Sequence, residues 1–451
     1  MRRGDIDTVV QLLTAGAPGT SVEAKYFLIQ VVYRFGDAPV ELTVEQLHSM
    51  FGMSVGVVIR ARDELLENGY LVDRPLPGQP VGTHGLGVRG RPRRGFRLSK
   101  AYRREIEQGS SETLSRPRWS HMVQAALSLG HQGVERPRRV RMGNLRGIAP
   151  RMLLAALWSL ADSRATVSEA SHTKLAHMLG IGVSVDRIRA QLKRLHEPGY
   201  INANIPGITG RRVPGRVSGT VVLNPAHGDY STSGVPPRRS HAVQFNDFGL
   251  DGLTWTYSMV DRIERQAHLH PSGGTPKAMT ELRHSEDVVL GRLSNEDRPA
   301  KLGGGEPFDL YRAFSGEPQR RRVRSYITFK MYDYAAWLVD NYPEQVVSQE
   351  PKVVPHLIER VQNELCSNRR LKEEFGEPFP YALAAWFYVH IWDIARGVIT
   401  ATARTLELEK KDLARWIGSL YSGFIIIPKG LTNQVNITFE DLTCAHSRSV
   451  L

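Results

Sequence analysis

Arginine side chains crowd two loops of this 451-residue chain, and both loops are rich in glycine and proline. A guanidinium group presents a planar set of N–H donors that fits a phosphate group or the edge of a guanine. Glycine and proline leave such loops exposed, with no acidic core to neutralise the charge. We therefore predict that these arginines contact phosphate or the minor groove of nucleic acid. They are Arg89, Arg91, Arg93 and Arg94 in residues 75–95, and Arg211, Arg212 and Arg216 in residues 206–219.

The charge of the chain is unevenly distributed. The formal net charge is +13, but residues 1–240 contain 34 Lys and Arg against 19 Asp and Glu, whereas the remainder contains 25 against 27. Only Lys25, Lys100, Lys174 and Lys193 among those 34 cations are lysines. Basic runs are often solvated surface, but a bias towards arginine in predicted loops favours nucleic acid as the partner.

The basic half contains one sequence pattern twice, in residues 42–72 and 171–201. In each copy a short amphipathic helix, at residues 44–51 or 173–179, ends at a glycine. A second helix with apolar residues at helical spacing follows. This order predicts a helix-turn-helix in each copy. The matching residues are Leu47, Gly52, Leu65, Gly69 and Tyr70 in the first copy and Leu175, Gly180, Leu195, Gly199 and Tyr200 in the second.

The second helix of a helix-turn-helix enters the major groove with its N-terminal residues nearest the bases. Arginine can read guanine, glutamine can read adenine, and serine can hold phosphate. The alternative is that these positions are only solvated helix surface. The predicted contacts are Ser54, Val57 and Arg60 in the first copy, and Ser184, Arg187 and Gln191 in the second.

Each copy continues through Gly-Tyr into a strand, one of the arginine-rich loops, and a return strand at residues 96–98 or 220–223. A further helix precedes each copy, at residues 22–35 and 150–162. A helix-turn-helix beside such a hairpin resembles the winged-helix superfamily of DNA-binding proteins. The resemblance implies that each arginine-rich loop is a wing.

The predicted fold is mainly α-helical, with two winged-helix (α+β) domains followed by a largely helical C-terminal domain. We place the first winged helix in residues 1–105, a basic linker in 106–147, the second winged helix in 148–230 and the C-terminal domain in 241–451. The C-terminal domain has a near-neutral charge and tryptophan-rich helices. We expect it to mediate homo-oligomerisation or to bind a protein partner.

Two stretches of that C-terminal domain carry a secondary-structure prediction of their own. Residues 320–342 are predicted to begin as a strand and to end as a helix. Residues 424–439 alternate between apolar and polar side chains, which predicts a hairpin.

Cysteine content and hydropathy exclude several classes of protein. Cys366 and Cys444 are too few for a disulfide framework or a four-thiolate zinc site. The first residues lack the apolar core of a signal peptide, and the longest apolar run, residues 381–392, is too short to span a bilayer. We expect a cytoplasmic protein with no membrane contact, no metal and no cofactor.

One segment suggests an enzyme. Residues 267–281 resemble the His-x-His-Pro-Ser-Gly segment of the JAMM metalloproteases, in which two histidines and a later aspartate bind zinc. His268 and His270 match, but Ala278 and Glu281 stand where the family has serine and aspartate. No arrangement of nucleophile, base and orienting acid is evident elsewhere. We therefore predict no catalytic residues, and a metal-dependent hydrolase is the third hypothesis.

The sequence thus predicts a protein that binds double-stranded DNA at a defined site. Two non-identical helix-turn-helix units on one chain suit an asymmetric or iterated DNA sequence. We favour a transcription regulator. The alternative is a replication initiator or maintenance protein of a plasmid or integrative element, because the arrangement is similar to plasmid-type replication initiators, which also carry tandem winged helices.

Overall fold

A computed structural model describes most of the chain. The described residues are mainly helical and contain four small sheets. They divide into a first unit, Met1–Asn204 with Thr220–Val235, and a second unit, Ile205–Gly219 with Pro236–Leu451. The described ranges are 5–14, 17–75, 94–109, 119–127, 145, 147–168, 171–233, 238–244, 313, 320–347, 354–409, 412–413, 417, 425–428 and 434–440.

The first unit begins with α1 (Ile6–Thr14) and continues with the first repeat, which we define as residues 22–98. Strands β1 and β2 of this repeat pair antiparallel, and Val40 adds a bridge to Phe96. The predicted helices at residues 22–35 and 44–51 are confirmed. The elements of the first repeat are α2 (Val22–Phe35), α3 (Val44–Phe51), α4 (Val55–Glu67), β1 (Leu71–Pro75) and β2 (Arg94–Leu98).

Two helices, α5 (Lys100–Gly109) and α6 (Ser120–Ala126), precede the second repeat, which we define as residues 148–223. Its three helices and the strands β4 and β7 follow the order of the first repeat. It adds β3, which forms a three-stranded sheet with β7 between β3 and β4, and the short strands β5 and β6. Its elements are α7 (Ile148–Leu160), β3 (Thr166–Val167), α8 (His172–Leu179), α9 (Val185–His196), β4 (Ile201–Ile205), β5 (Ile208–Thr209), β6 (Arg216–Val217) and β7 (Thr220–Leu223).

The repeats share backbone hydrogen bonds at matching positions. In each, the tyrosine after the second helix donates its N–H to the leucine five residues earlier. Its carbonyl accepts from the residue that follows the return strand. The sequence repeat is therefore also a repeat of backbone structure. The sets are Tyr70 with Leu65 and Ser99, and Tyr200 with Leu195 and Asn224, at N···O distances of 2.9–3.0 Å.

A short segment, residues 18–21, joins the two repeats, and we call it the junction. The N–H of Ile181, in the turn after α8, donates to the Thr20 carbonyl at 2.8 Å. On the side of the first repeat, the Glu64 carboxylate accepts from the N–H and the hydroxyl of Ser21 at 2.5 and 2.6 Å. The junction therefore fixes α4 of one repeat and the α8–α9 turn of the other to the same stretch of backbone.

Lys25 is buried beside the junction. Its ammonium group donates to the carbonyl of Leu13 at 3.2 Å and to the carbonyl of Met178, at the end of α8. Burial lowers the pKa of Lys25 to about 8, because a charged ammonium loses hydration inside the protein. A buried side chain of the first repeat thus also holds the second.

Part of the predicted linker lies in the core of the first unit. Tyr26 and Gln30 of α2 both donate to the carbonyl of Leu127, which ends α6, at 3.3 and 3.1 Å. The Trp119 indole, also buried, donates to the carbonyl of Asp162 at 2.6 Å. The structure therefore differs from the prediction of two separate domains joined by residues 106–147, because α6 packs between the repeats as core.

The second unit is built around two long helices, α10 and α14, which pack against each other. The prediction of a strand at the start of residues 320–342 is wrong, because α10 is helical throughout. The predicted hairpin is confirmed as β9 and β10. The elements are β8 (Arg238–Gln244), α10 (Arg320–Asn341), α11 (Pro343–Val347), α12 (Pro355–Val361), α13 (Arg369–Phe375), α14 (Phe379–Thr405), β9 (Ile425–Pro428) and β10 (Gln434–Glu440).

The loop between β4 and β7, residues 206–219, belongs to the second unit. Its apolar residues Ile208 and Val213 are buried in the same core cluster as Tyr326 of α10. The predicted boundary of the second winged helix at residue 230 therefore differs from the structure, which folds this loop with the C-terminal helices. In the described part of the chain, no helix combines the length and the apolar composition that a membrane crossing requires.

The junction generates a prediction about Gly180. Its φ of +132° belongs to a region that is essentially restricted to glycine, and an added Cβ would lie 2.5 Å from the Thr20 carbonyl oxygen. We expect Gly180→Ala to reduce the free energy of unfolding by about 3 kcal/mol. Hydrogen exchange should then rise in peptides from both α2 and α8.

Gly182→Ala is the matched control, because that site has a φ of +73° but open space around it. We expect this variant to lose about 1–2 kcal/mol of the free energy of unfolding. Equal effects of the two variants would contradict the close approach.

Candidate nucleic-acid interface

Helix α4 exposes an apolar and cationic surface at its N-terminal half. Val55 and Ile59 are 40% and 38% exposed, and Arg60 is exposed beside them. Arg60 makes no ion pair with any described residue. Ser54 precedes the helix and its hydroxyl makes no capping hydrogen bond. This face therefore offers one guanidinium, one hydroxyl and two apolar groups, a set that suits a DNA base edge, a phosphate and thymine methyl groups.

Helix α9 exposes a more basic surface. Arg187 and Arg194 are exposed and make no ion pair with a described residue. They lie seven residues apart, which places them on one face of the helix two turns from each other. The other two cations of the helix are paired locally, Arg189 with Asp186 at 2.7 Å and Lys193 with Glu197 at 3.9 Å.

Ser184 occupies the N-cap of α9, and its hydroxyl oxygen accepts from the N–H of Arg187 at 3.2 Å. The hydroxyl hydrogen can still be donated to a phosphate oxygen. In the first repeat, Val57 is half-buried, so that only part of its side chain faces outwards. Ser54, Arg60, Ser184 and Arg187 are thus the predicted helix positions that the structure leaves exposed.

Gln191 requires a correction. We predicted that it contacts a base, but it is only 8% exposed, and its Oε1 has no hydrogen-bond partner among the described residues. It lies three residues after Ile188 and four before Leu195, both of which are buried on the core side of α9. A side chain on that side cannot reach a base edge, and Gln191 is therefore not part of the candidate interface.

Sequence analysis missed three residues of the exposed faces, Val55, Ile59 and Arg194. The spacing could have identified Arg194, because it repeats the position of Arg187 after two helical turns. Ile59 was overlooked because an isoleucine at helical spacing is usually assigned to the core.

His172, at the start of α8, is half-buried. Burial, and secondarily the charge of Arg189, lower the pKa of His172, so that its ring is neutral at pH 7.

The two predicted loops differ in what the structure describes. Arg89, Arg91 and Arg93 lie outside the described residues, and the backbone of Arg94 begins β2 opposite Pro75. In the second loop, Arg211 and Arg216 are exposed.

The expectation that no acidic group neutralises the loop arginines is wrong for Arg212. Its guanidinium donates to both carboxylate oxygens of Glu374 at 2.7 and 2.5 Å, and its side chain is 14% exposed. It also lies 5.8 Å from the centre of the Phe375 ring. Arg212 is therefore occupied within the protein and is not available for phosphate.

The described residues contain no group of three or more His, Cys, Asp or Glu that could hold a metal ion. His268 and His270 of the metalloprotease hypothesis lie outside these residues, as does Cys444. Cys366 is buried, and burial raises the pKa of its thiol well above the usual value. Such a thiol is protonated at neutral pH and is not a reactive nucleophile.

Comparison with known proteins gives no family for this chain. It matches no protein-family model, no curated protein and no solved structure.

The burial of Gln191 yields a prediction. Replacing Gln191 with Leu removes a buried acceptor that lacks a partner and keeps a side chain of similar volume. We expect Gln191→Leu to raise the free energy of unfolding by about 1 kcal/mol and to leave DNA affinity unchanged. Denaturant titration and fluorescence anisotropy with duplex DNA measure the two quantities. A loss of DNA affinity without a loss of stability would return Gln191 to the interface.

Proposed function

We propose that this protein binds double-stranded DNA at a defined sequence through its two repeats. The observation that carries the proposal is that the second helix of each repeat has, in its N-terminal half, an exposed arginine that makes no ion pair with a described residue. These arginines are Arg60 of α4 and Arg187 of α9, which do not stand at matching positions of the two repeats. In a helix-turn-helix this part of the second helix faces the base edges, and arginine is the side chain that most often reads guanine.

The order of elements supports the proposal. Each repeat runs from a helix through a short β-bridge or strand, two further helices and a hairpin. This is the order of a winged helix, and the buried faces of α4 and α9 leave their charged faces to solvent. The strongly basic first 240 residues supply the attraction to phosphate that nonspecific DNA binding requires.

The biological role that we propose is transcription regulation, with initiation of replication or maintenance of a mobile element as the alternative. The junction holds both repeats in one compact unit, so we expect them to bind adjacent parts of one asymmetric site. Sequencing of duplexes selected from a random pool tests this expectation. A two-part motif with fixed spacing supports it, whereas no enriched sequence would contradict sequence-specific binding.

The two roles are separated by where the protein binds in a genome. A genome-wide footprint at many promoters is expected for a regulator. A single cluster of short repeats would instead indicate an origin and would replace the regulator assignment.

Arg187 provides a direct test of base contact. Because a bidentate contact with guanine discriminates between sequences, we expect Arg187→Ala to lose about 1–3 kcal/mol of binding free energy on the selected duplex and much less on random DNA. Arg194→Ala is the matched control, with the same charge change on the same face of α9 but two turns from the N-terminus. We expect it to weaken both duplexes equally. If Arg187→Ala also weakens both equally, Arg187 contacts the backbone and not a base.

The arginines of the first loop should have a sequence-independent role. We expect the combined variant Arg91→Ala, Arg93→Ala and Arg94→Ala to weaken binding to the selected and random duplexes alike. The slope of log K against log salt should flatten by up to about one unit for each phosphate contact that is lost. Anisotropy titrations over a salt series measure the slope. An unchanged slope would show that these side chains do not contact phosphate.

A further inference from the structure

The second unit contains a cationic cavity that the helix faces described above do not use. It has a volume of about 570 Å³ and lies between the loop of residues 206–219 and the turn before α13. Among the described residues no carboxylate lines it. Its polar lining consists of Arg211, Arg216, Arg370, Ser367, Asn368 and Thr209, and backbone of the loop completes the wall.

One wall of the cavity is held rigidly by contacts from α13. The Asn368 side chain donates to the carbonyl of Arg211 at 3.0 Å. The ion pair of Arg212 with Glu374 fixes the next residue of the loop. An added Cβ on Gly215 would lie 3.4 Å from the amide nitrogen of Asn368, so loop and turn are in close contact. The backbone between Arg211 and Arg216 is therefore fixed on the C-terminal helices.

The opposite wall comes directly after a partly buried charge network in the sequence. Glu364, in the π-helical segment Gln362–Cys366, accepts from Lys330 at 2.7 Å, Tyr334 at 2.9 Å and Arg360 at 2.7 Å. Burial alone would raise the pKa of Glu364, but Lys330 and Arg360 outweigh it and hold this pKa at about 2. Glu364 is therefore ionised at neutral pH and anchors the segment that leads directly to Asn368 and Arg370.

Four of the arginines at or near the cavity fall into two groups. Arg212 and Arg369 are paired within the protein, with Glu374 and with Glu373 at 2.6 Å. Arg216 and Arg370 are exposed and make no ion pair with any residue that the structure describes. Two arginines that line one concave surface, with no carboxylate among its described lining residues, are complementary to a phosphate.

We propose that this cavity binds a backbone phosphate of duplex DNA, so that the C-terminal unit also contacts DNA, through Arg370. This inference rests on the proposed function. The loop that forms one wall connects β4 and β7 of the second repeat, where a wing lies in a winged helix, and wings carry phosphate contacts. No aromatic side chain lines the described cavity to stack a free base, which favours a phosphodiester over a nucleotide.

The test compares two neighbouring arginines in the full-length protein. Arg370→Ala removes an unpaired guanidinium at the cavity, whereas Arg369→Ala removes a neighbouring one that is paired with Glu373. Loss of one phosphate contact changes the salt slope by about 0.9, which corresponds to about an 8-fold weaker binding at roughly 0.1 M salt. We expect this loss for Arg370→Ala on selected and random duplexes alike and none for Arg369→Ala. Arg370→Lys, which keeps the charge, should restore most of the affinity.

The outcomes separate this inference from the proposed function. If the wild type binds duplex DNA and Arg370→Ala binds as tightly as Arg369→Ala, the cavity is not a DNA contact, although the helix-based function stands. If the wild type binds no duplex, the proposed function fails first. In that case calorimetry measures whether the wild type binds inorganic phosphate. If it does, and Arg370→Ala abolishes this phosphate binding, the cavity is a site for a free anion and has no role in DNA binding.

Discussion

The approach of Gly180 to the Thr20 carbonyl is the constraint on which the first unit depends. Two helix pairs that share one sequence pattern could be connected in many orientations by a flexible linker. Here a backbone hydrogen bond, the Glu64–Ser21 contact and the buried Lys25 ammonium fix them to the same short segment. Because backbone atoms make the closest approach, no larger residue fits at position 180, and the geometry between α4 and α9 is set by the main chain.

The described arginines of this chain are either paired within the protein or available to a ligand, and the presence of a nearby carboxylate determines which of the two applies. Where a carboxylate lies within reach, as for Arg189 and Arg212, the guanidinium is paired within the protein. Where no described residue offers one, as for Arg60, Arg187 and Arg370, the charge remains available to a ligand. Exposed ion pairs contribute little stability, so the paired arginines matter mainly because they are removed from the set that can bind phosphate. Composition alone does not distinguish these groups.

Local sequence signals predicted local structure well. The apolar spacing and the terminal glycine gave α3 its observed bounds, and the return strand at residues 220–223 was also predicted correctly. The sequence predicts a strand at the start of α10 because the helix is buried on nearly all sides. Its apolar residues therefore do not recur at the spacing that identifies an amphipathic helix. Strand β8 was missed because it begins with Arg238 and Arg239 and pairs with β10, nearly two hundred residues later.

Prediction of the candidate site failed at residues whose exposure or pairing depends on tertiary contacts. Gln191 is polar, but its spacing from Ile188 and Leu195 places it on the core face, and this could have been read from the sequence. The pairing of Arg212 with Glu374 could not, because the two residues lie 162 positions apart. The single clue was the apolar pair Ile208 and Val213 in a loop that was expected to be fully solvated.

The docking of that second loop has an entropic consequence. Ordering the backbone of a free loop costs about 1–2 kcal/mol for each residue, and a DNA ligand would have to supply that free energy from its contacts. In this protein the C-terminal helices have already ordered the loop, through Asn368, Glu374 and the burial of Val213. The C-terminal unit is therefore a pre-organising scaffold for part of the second repeat. Cutting the chain after the second repeat would keep every one of the loop's arginines and lose the conformation in which they are presented.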